Sequence, residues 1–134
     1  MKKIIGLYGC SNSGKTTTLN LLIELLGREG QEDNPVSIDD YRGKTIVITP
    51  GGDNKDVIKN NIEAFEKAEG DILVTATRTT GQTTGYLSNY AKENSVKITW
   101  IKKHYAEIRT GLVNQAQAED IKAVIDSIID EWDK

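Results

Sequence analysis

The sequence predicts an α/β protein: a three-layer α/β/α sandwich built on a sheet of about five mostly parallel strands, with one antiparallel hairpin strand. Three observations predict it. Short apolar runs alternate along the chain with segments of helical period. Those runs carry hydrophobic residues in succession rather than in alternation, the mark of strands covered on both faces. Two of the runs stand too close together for a helical crossover, so that pair alone is antiparallel.

The elements follow in order. Residues 3–8, with Ile4, Ile5 and Leu7, form a buried parallel strand. Residues 14–26 form a helix with Leu19, Leu22, Ile23 and Leu26 on one face, ended by Gly27 and Gly30. A polar loop, 31–35, leads to a short strand at 36–38 and a stronger, β-branched one at 44–49. Only residues 39–43 separate these two, far fewer than the dozen or so that a crossover needs. The pair is expected as a hairpin with Arg42-Gly43 in the turn. Pro50-Gly51-Gly52 breaks the second strand. Asp53 or Asn54 can cap the next helix, whose stripe is Ile58, Ile62 and Phe65, and Gly70 ends it. A strand at 71–76, a polar loop at 77–84, a weaker helix at 85–93 and a strand at 96–101 come next. The last helix, 116–132, carries Ile121, Val124, Ile125, Ile128, Ile129 and Trp132 along one side.

Composition narrows the function classes. The chain of 134 residues is expected as a single domain, 1–134. Its 37% apolar and 28% charged content is ordinary for a soluble protein. A formal net charge of -3, with no Lys/Arg run, speaks against a nucleic-acid surface. The apolar stretches are too short for a membrane span. The basic start Met1-Lys2-Lys3 runs straight into a strand and lacks the apolar core of a signal peptide. One cysteine, Cys10, excludes an internal disulfide framework. A cytoplasmic protein is expected.

The most informative segment is Gly9-Cys10-Ser11-Asn12-Ser13-Gly14-Lys15-Thr16, which meets G-x-x-x-x-G-K-[ST] at every fixed position. Gly9 and Gly14 let the chain turn with its amides inward, in conformations costly for residues with a Cβ. The amides of this loop, continued by Thr17, make a concave nest for phosphate oxygens. The nest opens a helix, whose N-terminal dipole favours negative charge. Lys15 is placed to bridge terminal phosphates and Thr16 to offer its hydroxyl to magnesium. In a parallel sheet, ligands sit outside the carboxyl ends of the strands. The loops 9–16, 49–53 and 77–84 should therefore converge.

On these residues the chain resembles the P-loop NTPase superfamily. The resemblance is closest over the first ~27 residues, and the strand and helix order beyond agrees with it. It implies binding of ATP, or another nucleoside triphosphate, with Mg2+. The segment Thr45-Ile46-Val47-Ile48-Thr49-Pro50-Gly51-Gly52 is similar to the Asp-Thr-Pro-Gly turn of GTPases and MinD/ParA-type ATPases, with Ile48 where those proteins have aspartate. Asp53, just past the turn, is the candidate substitute as metal ligand, or else a helix cap. Asp39-Asp40-Tyr41 is similar to the acidic and aromatic residues after the second strand of small P-loop kinases. That likeness makes Asp39 or Asp40 a candidate base toward an acceptor hydroxyl. Arg78 follows a strand and is a candidate charge clamp for phosphoryl transfer. The strand 96–101 is followed by Lys102-Lys103-His104 rather than the guanine-recognition motif of GTPases, which favours ATP.

Three functions are consistent with these residues: an NTPase or nucleotide-responsive switch, a small-molecule or nucleotide kinase, and a non-catalytic nucleotide-binding module. A homo-oligomer or a protein partner is compatible with any of them.

Overall fold

A computed structural model describes residues 2–132; Met1 of the basic start, with Asp133 and Lys134, lies outside the described residues. The elements are β1 (Lys3–Tyr8), α1 (Lys15–Leu25), β2 (Val36–Tyr41), β3 (Lys44–Thr49), α2 (Lys55–Lys67), β4 (Ile72–Thr77), α3 (Gln82–Glu93), β5 (Lys97–Lys102) and α4 (Thr110–Trp132). The five strands form one sheet in the order β2-β3-β4-β1-β5. Among the described residues only the β2–β3 pair is antiparallel.

The sheet separates two apolar layers. Ile5, Leu7, Ile46, Ile48 and Val74 point to one side and meet Leu19, Leu22 and Ile23 of α1 and Ile121 and Ile125 of α4. Ile4, Val47 and Leu73 point to the other and meet Ile58 and Phe65 of α2 and Leu87 of α3. The alternation of side-chain direction along a strand makes this division, and helices on both faces complete the α/β/α layering. Burying strand side chains on both faces removes each large apolar residue from water at about 1.5–3 kcal/mol apiece.

The hairpin forms as expected. Its turn residues Arg42 and Gly43 both have positive φ, 51° and 82°, the backbone that a two-residue hairpin turn demands. β2 is longer than expected, because Asp40 adopts a φ of 60° and the register shifts between Ile38 and Tyr41. This bulge carries the strand past its polar stretch. Asn54, not Asp53, caps α2: its side chain accepts the Val57 N–H at 3.0 Å.

Two helices begin earlier than their apolar period indicates. α3 starts at Gln82, after Gly81 (φ 98°), so the polar loop after β4 shrinks to residues 78–81. α4 starts at Thr110, and its buried face there is polar, Asn114 and Gln117 continuing the line of Ile121 and Ile125. Gln117 donates to the Lys102 carbonyl at 2.7 Å and accepts the His104 N–H at 2.8 Å, which ties the start of α4 to the end of β5.

All the parallel strands end at one edge of the sheet, where Tyr8 stands level with Thr77 and Lys102. β2 runs the other way. Its last residue, Tyr41, pairs with Lys44 at the start of β3, at the opposite edge.

Candidate functional site

The loop from Gly9 to Gly14 joins the end of β1 to the start of α1. Asn12 and Gly14 both take positive φ, 61° and 98°. Gly14 needs its freedom twice over, because a Cβ there would also stand 2.9 Å from Asn114 Oδ1. The Ser13 hydroxyl donates to the Cys10 carbonyl at 2.7 Å and braces the loop from within. Among the described residues, no backbone hydrogen bond has an N–H of residues 10–17 as donor. The first turn of any helix leaves such groups orphaned; here the preceding loop adds several more to the same mouth. Main-chain donors left open at a helix start are the kind of group that can take an anion.

Lys15 lies across this mouth. Its ammonium donates to the carbonyls of Gly9 at 2.7 Å and Cys10 at 2.8 Å, and its side chain is only 5% exposed. The Asp53 carboxylate stands 3.7 Å away and is 57% exposed. Burial pushes the Lys15 pKa down; Asp53 opposes this and Arg78 adds to it. The ammonium is thus held by neutral carbonyls with a single loosely placed counter-charge.

Thr16 points toward the turn after β3. Its hydroxyl lies 3.2 Å from the Pro50 carbonyl and 3.4 Å from Asp33 Oδ1. Pro50, Gly51 and Gly52 are buried, and the turn is held by Asn61 of α2, which donates to the Gly51 carbonyl at 2.7 Å. Gly52 touches the end of β4 so closely that a Cβ would stand 1.8 Å from the Ala76 carbonyl oxygen. Only glycine permits that approach. Together these residues enclose a cavity of about 300 Å³ whose walls include Asn12, Lys15, Thr16, Thr17, Gly52 and Asp53.

Arg78 leaves the end of β4 and spans the site. Nη2 donates to Ser11 Oγ at 2.6 Å and Nε to the Asp53 carbonyl at 3.1 Å. Its own N–H donates to Thr83 Oγ1 at 3.2 Å, so the first turn of α3 fixes the loop that carries it. The three loops expected to converge do so, with Arg78 as the bridge.

Asp40 does not join them. It sits exposed in the bulge of β2, at the opposite end of the sheet from Lys15, because β2 is antiparallel. A base at the phosphate mouth cannot come from Asp39 or Asp40, and that expectation is corrected. Ile48 is fully buried in the α1-side core; the strand-end carboxylate of the similar families has no counterpart at its position. Cys10 is exposed in the loop.

Four residues of the site escape a reading of motifs. Asp33 lay in a loop with no pattern to distinguish it. Asn61 sits on the buried stripe of α2, between Ile58 and Ile62; a polar residue on an apolar face was a readable signal. Lys103 and Asn114 back the glycine-rich loop. Lys103 is 5% exposed, its Cβ would meet a Cβ on Gly9 at 3.0 Å, and burial pushes its pKa down. Asn114 Oδ1 is buried with no hydrogen-bond partner.

The donor set near Thr16 consists of hydroxyl, carboxylate and carbonyl oxygens, the hard ligands that suit magnesium. No family model, curated protein or solved structure matches the chain.

Proposed function

We propose that the chain binds a nucleoside triphosphate, ATP in preference to GTP, as its magnesium complex, and works as an NTPase or nucleotide-responsive switch. One observation carries this reading. Asn12, Gly14, Thr16 and Thr17, whose main-chain N–H groups have no backbone acceptor among the described residues, line one cavity at the start of α1 together with the buried Lys15. Thr16 and Asp33 are the residues that would hold the metal, with Asp53 across the mouth. The metal, when bound, would neutralise charge on the terminal phosphates. Lys15 would turn from loop carbonyls to phosphate oxygens, and the N–H row would cradle the rest.

The switch follows from Arg78. It ties the loop after β3 to the glycine-rich loop through Asp53 and Ser11. A terminal phosphate arriving at Lys15 would push against the neighbouring Asp53 carboxylate, so its arrival and loss would remake the tie that Arg78 makes through Asp53. The displacement of Asp40 from the site removes the support for a kinase that uses this residue. One exposed cysteine fits a reducing, cytoplasmic setting.

The test is phosphate release from Mg-ATP, run beside calorimetry with ATP and GTP. Release with water as the only acceptor supports the NTPase. Binding that raises Tm without release supports a switch that does not turn over. Absence of heat with either nucleotide, with and without Mg2+, overturns the reading.

A further inference from the structure

The glycine-rich loop has a second side. On the α2/α3 face of the sheet, away from α1, Trp100 of β5 stands beside Gly6 of β1 in register. Its ring occupies the space where a side chain on Gly6 would be: a Cβ there would stand 2.6 Å from Trp100 Cζ3. A glycine inside a strand weakens it and marks close approach of something else; in β1 that something is the indole. Tyr8 meets the same ring edge-on, with centroids 6.2 Å apart and planes at 79°. Trp100 still remains 38% exposed. The pair thus forms a partly exposed aromatic wall in a hollow of about 310 Å³ completed by Thr79 and Thr84.

A second hollow of about 400 Å³ continues from Thr79 toward Ser11, Cys10 and Arg78. Arg78 spends Nε on Asp53 and one Nη2 donor on Ser11. A guanidinium has five N–H donors, so both Nη1 donors and the second Nη2 donor remain for a ligand. The thiol of Cys10 and the hydroxyls of Ser11 and Thr79 are polar but uncharged, which leaves arginine as the charge that lines this hollow.

We propose that these joined hollows form a second ligand site, which takes a planar ring bearing an anionic group. The ring stacks on the Trp100–Tyr8 wall, where a base–aromatic contact is sequence-tolerant and strong. The anion takes the remaining N–H groups of Arg78, the side chain best matched to carboxylate or phosphate. The site lies across the glycine-rich loop from the cavity of Lys15 and Thr16. Its meaning as the place of an acceptor or effector beside the terminal phosphate rests on the nucleotide-binding reading; its occupancy does not.

The chain has two tryptophans, so Trp132→Phe leaves Trp100 as the sole indole reporter. This protein is titrated with AMP, UMP and 4-hydroxybenzoate while indole emission is followed, with and without saturating Mg-ATP. The nucleotides and the benzoate separate a phosphate from a carboxylate as the anion. At least one probe is expected to quench Trp100 saturably, with Mg-ATP unable to displace it. Thr79→Tyr, at an exposed loop position, places a ring of the chain itself in the hollow. It should weaken that probe at least tenfold while Tm stays unchanged. Absence of saturable quenching by all three probes overturns the proposal. So does quenching that Mg-ATP displaces, since the probe then sits in the other cavity, and so does quenching that Thr79→Tyr leaves intact. Calorimetry of Mg-ATP on the same protein keeps the two readings apart: heat without quenching sinks only the ring site, and quenching without heat sinks only the nucleotide site.

Discussion

The two ends of the sheet carry similar charges and use them differently. At the far end, Arg42 reaches Asp126 at 3.3 Å and Asp130 at 2.5 Å, Lys122 reaches Asp126 at 3.2 Å, and the Tyr41 hydroxyl donates to Asp126 at 2.7 Å. Cations and anions satisfy one another, and the hairpin is clamped to α4. At the glycine-rich end, Lys15 rests on carbonyls, Asp53 stands off at 3.7 Å, and Arg78 holds a hydroxyl and a carbonyl. A closed network stabilises a fold. An open one, with donors to spare beside a cavity, costs some stability and gains a ligand.

The largest break in this contrast is expected at Lys15. Lys15→Met removes charge-assisted hydrogen bonds to phosphate, worth about 2–3 kcal/mol or roughly 30- to 150-fold in affinity. The same change should leave the ligand-free protein as stable as before or slightly more so, since it deletes a desolvated ammonium. Calorimetry with Mg-ATP and thermal melts check both halves. A fall in Tm with unchanged ATP affinity would reverse the contrast.

Gly52→Ala comes next. The added methyl meets the Ala76 carbonyl with no room to share, so the turn carrying Pro50 and Asp53 must move. A destabilisation of about 1–3 kcal/mol is expected from overpacking, with loss of nucleotide affinity because Thr16 and Asp33 lose their frame. Gly81→Ala is the control: it has positive φ but nothing near its Cβ, so its cost is backbone strain away from the metal donors.

Asp33→Asn and Asp53→Asn sharpen the site itself. The residue that meets the metal should, when neutralised, raise the Mg2+ needed for ATP binding by about tenfold, about 1.4 kcal/mol. Asp33 is expected to give this shift, because it approaches the Thr16 hydroxyl. Asp53→Asn should act instead on Lys15, lowering its pKa further by removing the opposing charge. A magnesium titration of each variant separates the two roles.

Much of this was legible in the residues. The loop 9–16 is a local device: its turn and its helix start follow from a single run of sequence, and the structure has both where the residues put them. The hairpin was equally local, since chain length forbade any other connection. Asp40 was misplaced because its likeness to the kinase residues was weighed apart from the hairpin, whose reversal already carries residues 39–43 to the edge of the sheet opposite the loop after β3. Asp33 was missed because it meets Thr16 only once α1 and β3 are packed. The early start of α4 was hidden because its first buried turns are Asn114 and Gln117, which break the apolar period that marks a helix. The convergence of the three loops at the strand ends was readable from the fold class; the polar partners that other elements bring to them, Asp33, Asn61, Lys103 and Asn114, were not.

The smallest effect belongs to the closed end and concerns acid. Burial works against the Asp126 carboxylate, yet hydrogen bonds from Tyr41, Lys122 and Arg42 outweigh it and hold the pKa below the ordinary value of about 4. A carboxylate with a lowered folded pKa adds stability that is fully present above its unfolded value and is lost as pH falls through the folded one. The wild-type chain should therefore lose this contribution only below about pH 4. Asp126→Asn should lower Tm by a few degrees at neutral pH and lose less on further acidification than the wild type. Tyr41→Phe should give a smaller version of the same change, about 1 kcal/mol for one hydrogen bond. Neither substitution should alter Mg-ATP affinity, because the far end contributes nothing to the cavity. Melts from pH 7 to pH 3, with an ATP titration at pH 7, read both effects, and a changed affinity in either variant would mean that the two ends of the sheet are coupled rather than independent.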